Sequence, residues 1–99
     1  MGLKKKIEMV SDNTIFKISK LFRLQWEPAQ KAHVLLYPEG MVKLNDSAGE
    51  IMSRIDGERT LNEIVDDIEK RFKTKGLHDD VVSFIEIALT QGWIKSEVE

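Results

Sequence analysis

The 99 residues, 41% of them apolar, supply one compact core and are too few for two. The 15 Lys and Arg nearly balance the 17 Asp and Glu, a formal charge of -2, so the chain lacks the basic excess that binding to a phosphate backbone demands. There is no cysteine, which excludes disulfides, thiolate metal sites and cysteine nucleophiles, and no apolar run nears the roughly 20 residues of a membrane span. A soluble cytoplasmic domain is expected.

From Met1 to about Lys20 polar residues outweigh isolated apolar ones, and Ser11-Asp12-Asn13-Thr14 breaks any periodicity. This predicts a flexible or loosely docked amino-terminal arm over residues 1–20 and a folded domain over 21–99. Lys4-Lys5-Lys6 reads as a solvated tail. Strand signals follow. Phe22, Leu24 and Trp26 alternate with Arg23 and Gln25, giving a half-buried first strand, and a loop at Pro28 leads to a second strand over His33–Tyr37, apolar enough on both faces to be central. Tyr37-Pro38-Glu39-Gly40 predicts a tight turn, after which Met41–Leu44 returns antiparallel with Val42 and Leu44 on one face and Met41 and Lys43 on the other.

After Asn45 the period lengthens to that of helices. Ser47-Ala48-Gly49-Glu50 fits a capping box opening a first helix that ends at Asp56-Gly57. Thr60-Leu61-Asn62-Glu63 fits a second capping box, and Leu61, Ile64, Val65, Ile68 and Phe72 form the apolar face of a second helix ending before Gly76. A third helix is expected from about His78 to Gln91, with Asp79 and Asp80 at the positive end of its dipole. The fold class is therefore α+β, a three-stranded antiparallel meander followed by three helices.

The third helix carries the functional signal. At about 100° per residue its apolar residues cover roughly 220°, more than one core contact needs. The helix is either sandwiched between two elements or leaves apolar surface for a guest. The meander's last strand, Met41–Leu44, has only Lys43 to discourage pairing, so its outer edge offers vacant amides and carbonyls to a fourth strand. If the third helix lies beside that edge, the two form the walls of a groove for an extended peptide.

Rival functions fare worse. Helices with a small sheet suggest a winged-helix DNA reader, yet the third helix has no Lys or Arg from His78 to Gln91 and carries Asp79, Asp80 and Glu86. For catalysis, no motif joins His33 and His78 to a nucleophile, so one packed and one capping or solvent-facing histidine is the simpler reading. His78-Asp79-Asp80 cannot converge on one metal ion, because adjacent helical side chains splay apart. Trp26 and Trp93 lack the interleaved basic residues that single-strand binding wants. Asp56-Gly57-Glu58-Arg59-Thr60 is explained as a helix-to-helix turn rather than an ion loop. No catalytic residue, metal or cofactor is assigned.

His33-Val34-Leu35-Leu36-Tyr37-Pro38-Glu39-Gly40-Met41-Val42-Lys43-Leu44-Asn45, then Ser47-Ala48-Gly49-Glu50-Ile51 and Asp56-Gly57-Glu58-Arg59-Thr60, resemble the PqqD family of pyrroloquinoline quinone (PQQ) biosynthesis, and more broadly the recognition elements for ribosomally made, modified (RiPP) peptides. Weaker similarity runs through Ile64–Phe72 and from Asp80 to Gly92, while residues before Lys20 match nothing recognised. The resemblance implies a winged-helix-like domain without catalytic activity. It implies a peptide chaperone that binds the precursor peptide PqqA between third strand and third helix and contacts PqqE, the radical S-adenosylmethionine enzyme that cross-links it. On this sequence the peptide would run along Met41, Val42, Lys43 and Leu44, and Val82, Ile85, Glu86 and Leu89 would supply the helical wall. The alternatives are a recognition element for another ribosomal peptide and a DNA-binding regulator. A monomer or weak homodimer is expected, because an open sheet edge invites self-pairing.

Overall fold

The computed structural model describes residues 10–97. Its elements are β1 (Ile15–Ile18), β2 (Arg23–Glu27), β3 (Ala32–Tyr37), β4 (Gly40–Lys43), α1 (Asp46–Met52), α2 (Leu61–Phe72), α3 (His78–Thr90) and β5 (Ile94–Glu97). Strands β2, β3 and β4 form the expected antiparallel meander with β3 central. Leu24, Leu35 and Val42 stand side by side across the sheet and turn toward the core, whereas Gln25, Val34 and Lys43 share the opposite face. Val34 and Leu35 are both fully buried, which is why β3 reads as apolar on both faces. Tyr37 pairs with Gly40, so Pro38-Glu39 forms a two-residue turn.

The helices pack on the inner face of this sheet. Thr60 Oγ1 accepts from the Glu63 amide at 3.2 Å and the Glu63 carboxylate accepts from the Thr60 amide at 2.9 Å, so the second capping box is present. The first differs from expectation. Asn45, in extended backbone, caps α1 by accepting from the Ala48 amide at 2.8 Å, and Ser47 donates its hydroxyl to Asn45 Oδ1. An asparagine carbonyl can reach the third amide from there, so α1 starts earlier than Ser47 would place it, and it ends at Met52 rather than at Asp56-Gly57. Turn hydrogen bonds from Arg54 to Ile51 and from Ile55 to Met52 carry the chain on and bury Ile55.

The arm expected over residues 1–20 needs correction. Residues 1–9 lie outside the described residues, but Ile15–Ile18 form β1, which pairs antiparallel with β5 in a separate two-stranded ribbon. Phe16 is fully buried in the core, and its carbonyl accepts from the Gly57 amide at 2.9 Å. The Thr14 carbonyl accepts from Leu61 at 2.8 Å. Burying one phenylalanine contributes about 3 kcal/mol, which offsets part of the cost of ordering four residues, and the pairing with β5 and the bonds to Gly57 and Leu61 add to it. Strand β5 likewise lies outside the expected elements. Both strands are four residues long and each has a single fully inward side chain, Phe16 and Ile94, too little for a period of two to register.

Candidate binding groove

On β4, the Leu44 amide donates to the His33 carbonyl at 3.0 Å. Because bonded and free positions alternate along an antiparallel strand, Gly40, Val42 and Leu44 bond inward to β3, and the amides and carbonyls of Met41 and Lys43 point away from the sheet. No strand pairs with that outer side among the described residues. The edge is therefore vacant, and its inward side chains Val42 and Leu44 continue the core face.

A groove of about 480 Å³ opens beside this edge. Val42, Lys43 and Leu44 form one wall. Asp80, Val81, Phe84 and Ile87 of α3 form the other, and Ile51 and Ile68 contribute apolar floor from α1 and α2. Phe72, Leu77 and Trp93 close its ends, with the Phe84 and Trp93 rings 6.3 Å apart. Ile87 is 53% exposed, so apolar surface of the α3 wall faces solvent, whereas Met41, 51% exposed, lies on β4 outside the lining. Asp80 places a carboxylate in the lining.

The structure thus brings the predicted strand residues and α3 to one groove, but from a different flank of the helix. Met41 is exposed on β4, and Val42, Lys43 and Leu44 line the groove. Ile85 is fully buried in the core between Val81 and Ala88. Val82 and Leu89 are partly buried against the core, and neither they nor Glu86 line the groove. At about 100° per residue, Val82, Glu86 and Leu89 lie on one side of the buried stripe and Asp80, Phe84 and Ile87 on the other. The wheel measured the surplus apolar arc, but only the direction of β4 selects the flank. Phe72 reads as core from its spacing after Ile68, yet at the end of α2 it is partly exposed at the groove mouth.

The Asp12 and Asp79 carboxylates, at 2.9 and 3.4 Å, raise the pKa of exposed His78. His33 meets Trp26 edge-on at 5.0 Å between ring centroids. Arg54 holds the Glu50 carboxyl below its usual range, and the Arg59 and Glu58 amides do the same for Asp56. No cluster of three His, Asp or Glu that could hold a metal ion occurs among the described residues. Nor does any helix there have the length and apolarity to cross a membrane.

Comparison with known proteins agrees with this geometry. A sequence model of the family described as "Coenzyme PQQ synthesis protein D (PqqD)" matches residues 32–94. The chain belongs to the PqqD family. The matched residues run from β3 to the start of β5, so every wall of the groove lies inside the family's common region. Among its relatives, a protein of Azotobacter vinelandii called a PqqA binding protein is 50% identical over 84 residues, covering 84% of this chain and 91% of the relative. A PqqA binding protein of Pseudomonas paraeruginosa is 55% identical over 75 residues, 75% of this chain and 82% of the relative. The solution structure of the PqqD part of Methylobacterium extorquens PqqCD, described as a functional, stand-alone RiPP recognition element, superposes with a TM-score of 0.72. That alignment covers 87% of this chain and 94% of the other at 19% identity, so it speaks for the PqqD fold alone.

Proposed function

We propose that this chain is a non-catalytic peptide chaperone of PQQ biosynthesis, which takes up the PqqA precursor peptide as a fourth strand along β4 and presents it to the radical S-adenosylmethionine enzyme PqqE. The observation that carries the reading is the vacant outer edge of β4 beside an exposed apolar flank of α3 in one groove. The relatives described as PqqA binding proteins support the choice of guest, and the family resemblance supports the choice of enzyme. The amides and carbonyls of Met41 and Lys43 hold the guest's backbone whatever its sequence, and Phe84, Ile87 and Val42 select its apolar side chains. Fixing a flexible peptide as a strand makes its encounter with the enzyme effectively intramolecular, so the adaptor raises rate without touching the chemistry.

Titration of PqqA peptide into two variants tests the groove. Ile87 is half exposed, so Ile87→Ser costs about 1 kcal/mol of folding stability and leaves the chain folded. It removes about 1–2 kcal/mol of guest burial, and affinity falls roughly 5- to 30-fold. Glu86→Ala, on the opposite flank, leaves affinity unchanged. The reverse pattern would put the guest on the other side of α3.

A further inference from the structure

The groove continues past the end of β4. A second recess of about 610 Å³ shares Lys43, Leu44, Asn45, Ser47 and Phe72 with it and adds Gln30, Lys31, Ala32 and Asp46 to its lining. Two lysines of different origin line it, Lys43 from the edge strand and Lys31 from the turn joining β2 to β3. Neither lysine forms an ion pair among the described residues. Asp46, the acid in this lining, lies in the first turn of α1, where the helix dipole favours a negative charge. The recess therefore holds one positive charge in excess.

Lys31 also stands in a backbone conformation that suits another residue. Its φ is 52°, in the left-handed region, where the turn closes through hydrogen bonds from Gln30 to Glu27 and from Lys31 to Pro28. Glycine or asparagine adopts that conformation at little cost, and a lysine strains it. Lys31 keeps that conformation while lining the recess together with Lys43.

We propose that Lys31 and Lys43 form a carboxylate subsite that selects guest peptides with an acidic side chain just outside the segment filling the apolar groove. The proposal rests on the reading of the groove as a peptide site and adds a determinant of specificity to it. Antiparallel pairing, used throughout this sheet, is the more stable ladder. A guest paired that way runs opposite to β4, so its acidic residue lies on the amino-terminal side of its apolar segment.

The test uses the full chain and a synthetic PqqA peptide in which each carboxylate is replaced in turn by its amide. Against the wild-type chain, one replacement on the amino-terminal side weakens binding roughly 2- to 5-fold, the range of an exposed ion pair. Lys31→Gly raises the unfolding midpoint by relieving the turn and lowers affinity for the unmodified peptide. It also removes the preference for the acid over the amide at that one position, as does Lys43→Met. Lys31→Arg retains the preference, and Lys95→Met, on exposed β5, changes nothing. If Lys31→Gly and Lys43→Met bind as tightly as wild type while Ile87→Ser binds weakly, the subsite is refuted and the groove stands. If Ile87→Ser also binds like wild type, the groove reading fails and the subsite with it.

Discussion

Gly49 shows how one missing side chain fixes the spacing between helix and sheet. A Cβ at this position in α1 would sit 2.7 Å from His33 Nδ1 and 3.2 Å from His33 Cβ, and the imidazole has Trp26 as a second neighbour at 5.0 Å. Elsewhere in a helix alanine is preferred to glycine by about 1 kcal/mol. Here overpacking dominates, and Gly49→Ala is expected to lower the unfolding free energy by about 1–3 kcal/mol, with part regained in the double variant with His33→Ala. Chemical denaturation measures both, and a more stable Gly49→Ala protein would show that α1 does not rest on His33. In the sequence Gly49 reads only as a spacer in a capping pattern, since the steric role exists only once α1 lies on β3. The Thr60–Glu63 box, whose partners are three residues apart, was legible without any tertiary information.

Among elements, legibility followed the range of the interactions that define them. Strands β2, β3 and β4 declare themselves because they are hydrogen-bonded neighbours joined by short turns, and α2 because its buried residues recur at helical spacing. Strands β1 and β5 pair across almost the whole chain, and no local pattern carries that partnership. The same long range keeps the flank of α3 that lies beside β4 out of the local pattern, since Phe84 and Val82 are equally apolar and only Phe84 lines the groove. A contact between the segment before β1 and α3 also becomes visible only in the fold. His78, the first residue of α3, lies 2.9 Å from Asp12, which precedes β1. Asp12 first and then Asp79 hold the His78 pKa above its ordinary 6.5. A histidine whose pKa is raised in the folded state contributes its full stabilisation below the unfolded value and loses it as pH rises through the folded one. The unfolding midpoint of His78→Gln should therefore fall furthest below wild type near about pH 5.5 and converge with it by about pH 9. A gap independent of pH would mean that the Asp12–His78 contact does not form in solution.

At the scale of the whole molecule, the ribbon of β1 and β5 completes one core and covers neither edge of the meander among the described residues. Phe16 and Ile94 are buried in the same cluster as Leu35, Ile64 and Ile85, so the segments flanking the domain complete it. The meander's other outer strand, β2, is also unpaired among the described residues, but it does not line the main groove. Peptide uptake on β4 is the central claim, and amide hydrogen exchange with and without PqqA peptide tests it most directly. In the free chain the Val42 and Leu44 amides are protected by β3, and those of Met41 and Lys43 exchange freely. At a peptide concentration about ten times the dissociation constant, Met41 and Lys43 should slow roughly tenfold while Val42 and Leu44 change little. Slowing confined to β2, or bound peptide with no change at Met41 and Lys43, would contradict strand addition at this edge.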